Sequence, residues 1–145
     1  MKILCIIPIY NEEARLKYLL EEIITFKKET NLNVEFLIIN NGSTDHSANI
    51  LNNYNFKYIN RKKNKGIGYA FLLGLKIANR NNFEILVHMA GNYKMSPFDI
   101  PNVINPIKND GIDYVCGTRF LKEENFKNNP LFRKICIKIL SYFFS

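Results

Sequence analysis

The sequence has 145 residues, a length that folds around one core and leaves no second domain to be sought. At 47% apolar and 23% charged, with 7 Gly and 5 Pro, its composition is that of a globular protein and excludes a disordered chain. The formal net charge of +7 has two readings: an anionic partner bearing phosphate, acidic lipid or nucleic acid, or a drift towards Lys and Asn of the kind seen in Asn60-Arg61-Lys62-Lys63-Asn64.

Ile3 to Ile9 is a continuous apolar run rich in β-branched residues, which predicts a strand buried on both faces at the centre of a sheet. With Lys2 before it the run resembles a secretion signal, but Asn11-Glu12-Glu13 follow at once and no small-residue cleavage site is present. Asn11 is placed to cap a helix with Glu12 and Glu13 in its first turn and Lys27 and Lys28 at its end. Leu16, Leu19, Leu20, Ile23 and Ile24 form that helix's core stripe. Val34 to Ile39 reads as a second strand and Asn40-Asn41-Gly42 as a turn, with Ser43 or Thr44 capping a helix to about Asn53.

Phe56 to Ile59 predicts a short third strand, and Gly66 to Ala78 a helix with Ile67, Phe71, Leu75 and Ala78 on one face. Glu84 to Met89 predicts a fourth strand, Pro97 opens a helix to about Lys108, and Tyr114 to Cys116 reads as a last strand. Strands alternating with helices imply an open α/β, mostly parallel sheet covered on both faces, with ligands bound beyond the strands' carboxyl ends. The turns to inspect therefore begin at Pro8, Asn40, Asn60 and Met89. Cys5, Cys116 and Cys136 are too few and too scattered for a disulfide framework or a zinc site and point to a reducing cytoplasm. No apolar run approaches the roughly 20 residues that cross a bilayer.

A dinucleotide fingerprint fails, because Gly66-Ile67-Gly68 follows the third strand rather than the first and Phe71 stands where a third glycine belongs. The turns instead carry Ile7-Pro8-Ile9-Tyr10-Asn11-Glu12, Asn40-Asn41-Gly42-Ser43-Thr44-Asp45, Asn64-Lys65-Gly66-Ile67-Gly68-Tyr69-Ala70 and Met89-Ala90-Gly91-Asn92-Tyr93-Lys94-Met95-Ser96-Pro97, followed by Gly117-Thr118-Arg119-Phe120. This order resembles family 2 glycosyltransferases, above all the branch of dolichyl-phosphate mannose synthases and other polyprenyl-phosphate sugar transferases. The resemblance runs from Ile3 to Phe120 and implies a GT-A fold, a nucleotide-diphosphate sugar as donor and inversion at the anomeric carbon.

By the same resemblance Pro8, Tyr10 and Glu12, with Asn11, cradle base and ribose, and Asn41 stands where an Asp contacts the base. Ser43, Lys65 and Gly66 complete the expected nucleotide site. Ser43 and Asp45 have helix capping as an ordinary role, and Lys65 can neutralise a phosphate or remain a solvated lysine. Asp99 has an ordinary place in a helix first turn.

Three departures from the family stand out. The Asp-X-Asp places, which hold a divalent ion across the donor's phosphates, are Ala90 and Asn92, so Mg2+ or Mn2+ is a doubtful cofactor, with Asn92 as a weak ligand through its amide oxygen. Arg119 is then the cation expected at the diphosphate. Ser96 occupies a place where many relatives have Asp. The acceptor segment would begin where this sequence stops, so the sheet reads as truncated, and either the chain is a fragment or a second chain completes the site. Residues 1–120 are expected to form the core of a single domain spanning 1–145.

The remainder, 121–145, is expected to be an amphipathic segment. Its helix from Pro130 to Ser145, with Phe132, Ile135, Cys136, Ile139, Leu140 and Phe143 on one face, packs on the sheet or lies on the anionic inner surface of a membrane, where a lipid phosphate is the candidate acceptor. The functional expectation is sugar transfer from a nucleotide-diphosphate donor in the cytoplasm. The alternative is a catalytically degenerate nucleotide-binding or partner-binding remnant of the same fold. Nucleic acid is not expected as a partner, because no aromatic stacking platform accompanies the positive charge.

Overall fold

The computed structural model describes residues 1–117 and 130–132. Arg119 and nearly all of the 121–145 segment lie outside the described residues. The chain divides into two compact units, Met1–Asn105 and Pro106–Ser145. The first contains four strands, β1 (Ile3–Ile9), β2 (Val34–Asn40), β3 (Tyr58–Asn60) and β4 (Ile85–His88), alternating with α1 (Glu13–Glu29), α2 (Ser47–Asn53) and α3 (Gly66–Arg80). A 3-10 turn at Pro97–Asp99 then leads into α4 (Ile100–Asp110).

All the strand pairings are parallel, in the order β3-β2-β1-β4, and β1 is central as its apolar run predicts. Ile3 through Ile7 are almost entirely enclosed. Successive side chains of a strand point to opposite faces, so Leu4 and Ile6 meet Ala70 and Ala78 of α3 while the odd-numbered residues face α1. On that second side Phe26 of α1 meets Phe36 of β2 edge to face, at 5.8 Å between ring centroids. Phe26 thus holds the core position expected of Ile24, which is only half-buried. Cys5 sits fully enclosed on β1, and burial drives its thiol pKa far up, leaving it protonated and unreactive.

The described residues correct four expectations. Asn11 does not cap α1: its backbone is left-handed, φ +55°, and its side chain reaches across to the next turn. Helix α2 starts at Ser47 rather than after Ser43 or Thr44, because Asp45 Oδ1 accepts the Ser47 amide at 3.0 Å and sets the helix start there. Residues 111–117 form no strand, and Tyr114 is 79% exposed.

The fourth correction concerns α3, which turns Ala70, Gly74 and Ala78 to the sheet, while Ile67, at 61% exposed, Phe71 and Leu75 face outward. The reason is space. A Cβ on Gly74 would stand 2.4 Å from Ile6 Cδ1, so the strand supplies the bulk and the helix must be small there.

Gly74→Ala is expected to lower the unfolding free energy by about 1–3 kcal/mol through overpacking. Gly68→Ala, with nothing within 4 Å of the added carbon, is expected to be neutral or to stabilise by up to about 1 kcal/mol. Urea titration of both variants measures the contrast.

Candidate functional site

The carboxyl ends of β1 and β2 lie in register, Ile9 beside Asn40, so the turns that follow them emerge side by side. Each turn completes the other's helix. Glu12 N–H donates to Ser47 Oγ at 3.1 Å and Glu13 N–H to Asp45 Oδ2 at 3.0 Å, supplying acceptors to the first amides of α1, which has no side-chain cap of its own. In return Glu13 Oε2 accepts the His46 amide at 2.8 Å, at the start of α2, and lies 3.0 Å from His46 Nδ1. Asn11 and Ser43 close the same seam: Asn11 N–H donates to Ser43 Oγ at 3.0 Å and Thr44 N–H to Asn11 Oδ1 at 2.8 Å.

The bonds from His46, its backbone N–H first and its ring second, hold the Glu13 carboxyl below its ordinary pKa. Desolvation pushes Asp45 upward, but bonds from Ser47 and from the Glu13 amide outweigh it, and the carboxyl ends below its ordinary value.

A second lock joins β2, β3 and α3. Asn40 Nδ2 donates to Asn60 Oδ1 at 2.9 Å, and its own Oδ1 accepts the Ser43 amide at 3.1 Å. Asn41, only 4% exposed, donates to Asn64 Oδ1 at 2.8 Å and Gly66 O at 3.1 Å and accepts the Lys65 amide at 3.3 Å. Its amide is therefore committed to the protein. Gly42, at φ +79°, completes the turn; a Cβ there would lie 2.7 Å from the Lys63 carbonyl carbon, so the β2 and β3 loops touch.

The loop after β4 is pinned to β1. Met89 N–H donates to Ile6 O at 3.0 Å, and Gly91 abuts Pro8 O so closely that a Cβ would stand 2.8 Å away. Asn92 Oδ1 accepts the Lys94 amide at 3.3 Å, and Tyr93, left-handed at φ +58°, stacks against Tyr18 at 5.9 Å. Ser96 donates to Glu22 Oε1 at 2.6 Å and accepts the Phe98 amide, which makes it a helix-start residue. A divalent ion does not fit this loop: Ala90 has no side-chain oxygen, the Asn92 oxygen is turned onto its own loop, and no group of three His, Cys, Asp or Glu gathers among the described residues.

Of the residues expected at the site, Tyr10, Asn11, Glu12, Asn41, Ser43, Lys65, Ala90 and Asn92 fall on these four loops, while Pro8 lies at the end of β1 and Gly66 opens α3. Asn11, Asn41 and Ser43 spend their side chains inside the framework. Tyr10, 46% exposed, and Lys65 remain open to a ligand. Glu12 Oε2 is shielded, has no hydrogen bond, and lies 3.6 Å from Arg15 Nη1. Sequence reasoning missed Ser47, Glu13 and Asn64 as the residues that fix the loops; only the Asp45-X-Ser47 spacing, typical of an Asx turn, signals any of them.

The profile of glycosyl transferase family 2 matches residues 4–144. The chain belongs to that family. Among relatives of this family 2 member is a UDP-N-acetylglucosamine–dolichyl-phosphate N-acetylglucosaminyltransferase from Methanococcus voltae, 33% identical over 147 residues, which covers 90% of this chain and 57% of the relative. Another is a dolichol-phosphate mannosyltransferase from Pyrococcus furiosus, 32% identical over 142 residues, covering 95% of this chain and 39% of the relative. The chain thus spans about half the length, or less, of these curated relatives. Glucosyl-3-phosphoglycerate synthase from Mycobacterium tuberculosis, solved with Mn2+, UDP and glucosyl-3-phosphoglycerate, superposes with a TM-score of 0.56 at 20% identity, over 73% of this chain and 39% of the other. The family 2 member has the GT-A-type parallel sheet that the motif order implies.

Asp45→Ala is expected to cost about 1 kcal/mol at pH 7 by uncapping two helix starts. Because the folded-state pKa values of Asp45 and Glu13 are depressed, their stabilisation is present above the ordinary carboxyl range of about 4 and is lost as pH falls through the folded values. Unfolding curves between pH 7 and pH 3 should show the variant losing less stability on acidification than the parent.

Proposed function

We propose that this family 2 member forms the donor-binding part of a transferase that moves a sugar from a nucleotide diphosphate to an acceptor by direct displacement, inverting the anomeric carbon. The observation that carries the reading is the rim at the sheet's carboxyl end: the loops after β1, β2 and β3, hydrogen-bonded to one another, and the β4 loop, packed against β1, lie where open α/β sheets bind ligands. In this reading Tyr10 offers an exposed ring to the base. Glu12, whose Oε2 has an ion pair with Arg15 but no hydrogen bond, accepts a ribose hydroxyl. Asn11, Asn41 and Ser43 hold the loops in place rather than touch the nucleotide.

The relatives named for dolichyl phosphate support a lipid phosphate as acceptor, itself an anionic nucleophile that needs little help from a base. Such an acceptor places the protein at the cytoplasmic surface of a membrane. No helix among the described residues is long and apolar enough to cross one. Arg119, outside the described residues, is proposed to steady the leaving diphosphate. Asn92 holds no divalent ion in this proposal, since its amide oxygen accepts from its own loop.

A second reading, a nucleotide-binding remnant without transferase activity, is favoured by Ala90 and Asn92. Calorimetric titration of the full chain with UDP and GDP tests what the two share. Binding of one nucleotide is expected, weakened about tenfold by Tyr10→Ala through loss of a stacked base. A folded chain that binds neither would sink both readings, and release of labelled sugar onto a polyprenyl phosphate separates them.

A further inference from the structure

Beyond β3, Arg61, Lys62, Lys63 and Lys65 line a cavity of about 560 Å3 backed by Ile59 and Leu73. Among the described residues none of these four cations has a carboxylate within ion-pair distance, although Arg15, Lys17 and Lys57 all do. Two of them converge on one ring: the Arg61 guanidinium stands 4.0 Å from the Tyr69 centroid and Lys65 Nζ 5.1 Å from it. The Arg61 guanidinium beside it lowers the Tyr69 hydroxyl pKa, a sign of the local positive field. Arg61 Nε is shielded and without a partner. Like charges gathered in one place without counter-charge repel each other, and an anion relieves that cost.

The cavity adjoins the rim of the donor site. Gly42 presses against Lys63 and Asn64, and the Lys65 amide is bonded to Asn41, so the loop's position is set by the β2 turn. Gly66 and Gly68 leave open space at the first turn of α3, where a ligand can reach the backbone. After β4 the places that would hold a bridging cation, Ala90 and Asn92, carry no carboxylate. With no divalent ion suited to the β4 loop, the positive charge that a diphosphate needs must come from side chains, and these four cations have no counter-charge among the described residues.

We infer that this chain holds the diphosphate of its nucleotide without a divalent ion, the charge being met by Arg61, Lys62, Lys63 and Lys65 in the β3–α3 cavity. The inference rests on the donor reading above for the identity of the nucleotide, but not for the cavity's taste for diphosphate. Lys62 and Lys63 are exposed and carry no hydrogen bond, so the double variant Lys62→Ala/Lys63→Ala leaves the fold intact.

The test is calorimetric titration of the full chain with UDP, GDP and inorganic pyrophosphate, in EDTA and again with Mn2+. Affinities are expected to agree within about twofold with and without Mn2+, to weaken as salt rises, and to fall about tenfold or more in the double lysine variant while Asn92→Ala changes nothing. Tightening of about tenfold by Mn2+ that Asn92→Ala abolishes would overturn the inference, as would indifference to the lysine changes. Lysine-dependent binding of pyrophosphate alone would remove the donor reading and leave the metal-free cavity standing; binding of none of the three removes both.

Discussion

Glu13 and Asp45 each complete the helix that the other's turn begins, and this exchange is the constraint on which the rim depends. A helix start leaves amides without partners, and here partners come from the neighbouring crossover and, for α2, also from Asp45 of its own turn. Two loops that would otherwise move independently become one body. Asn11 can then sit in a left-handed conformation that is uncommon for a residue with a side chain, because the Thr44 amide holds it. Tyr10, between Asn11 and the end of β1, inherits its exposed position from that bond network.

The paired asparagines after β2 show how a residue type can change its work. An aspartate at 41 would offer acceptors to Asn64 Oδ1 and Gly66 O, which are acceptors themselves; the amide supplies the N–H that both require. Neutrality there is therefore a condition of the loop's closure onto α3. The same closure sets the backbone of Lys65 and, through Gly42, that of Lys63. A framework role for Asn41 and a charged role for the lysines are two results of one arrangement.

Much of the architecture was legible in the residues because its signals are local. The apolar run of β1, the heptad-like stripe of α1 and the Pro97 helix start depend on neighbours a few positions away, and they appear within a residue or two of expectation. The face of α3 was not legible: Ile67, Phe71 and Leu75 have the right spacing for a core stripe, yet Ala70, Gly74 and Ala78 have it too. Only the bulk of Ile6 on a distant strand decides between them. The order of the turns pointed to the correct family, while the duties of single residues within them did not follow. Asn11, Asn41 and Ser43 carry groups that suit a ligand or a loop equally, and the choice is made by partners 23 to 33 positions away. Tyr114 to Cys116 has strand-forming residues, but an extended segment needs a neighbour to pair with.

The strand order also has a kinetic side. Pairing of β1 with β2 closes a single crossover, whereas Ile3 beside Ile85 joins positions separated by most of the first unit. Contacts of such long sequence separation are slow to form because chain entropy must be lost before they stabilise anything. The β4 loop with Ala90 and Asn92 is thus assembled on a scaffold that the β1–α1–β2 segment can build first. A substitution in that loop should act mainly on how fast the native state comes apart, and one in the seam between the first two crossovers on how fast it is reached.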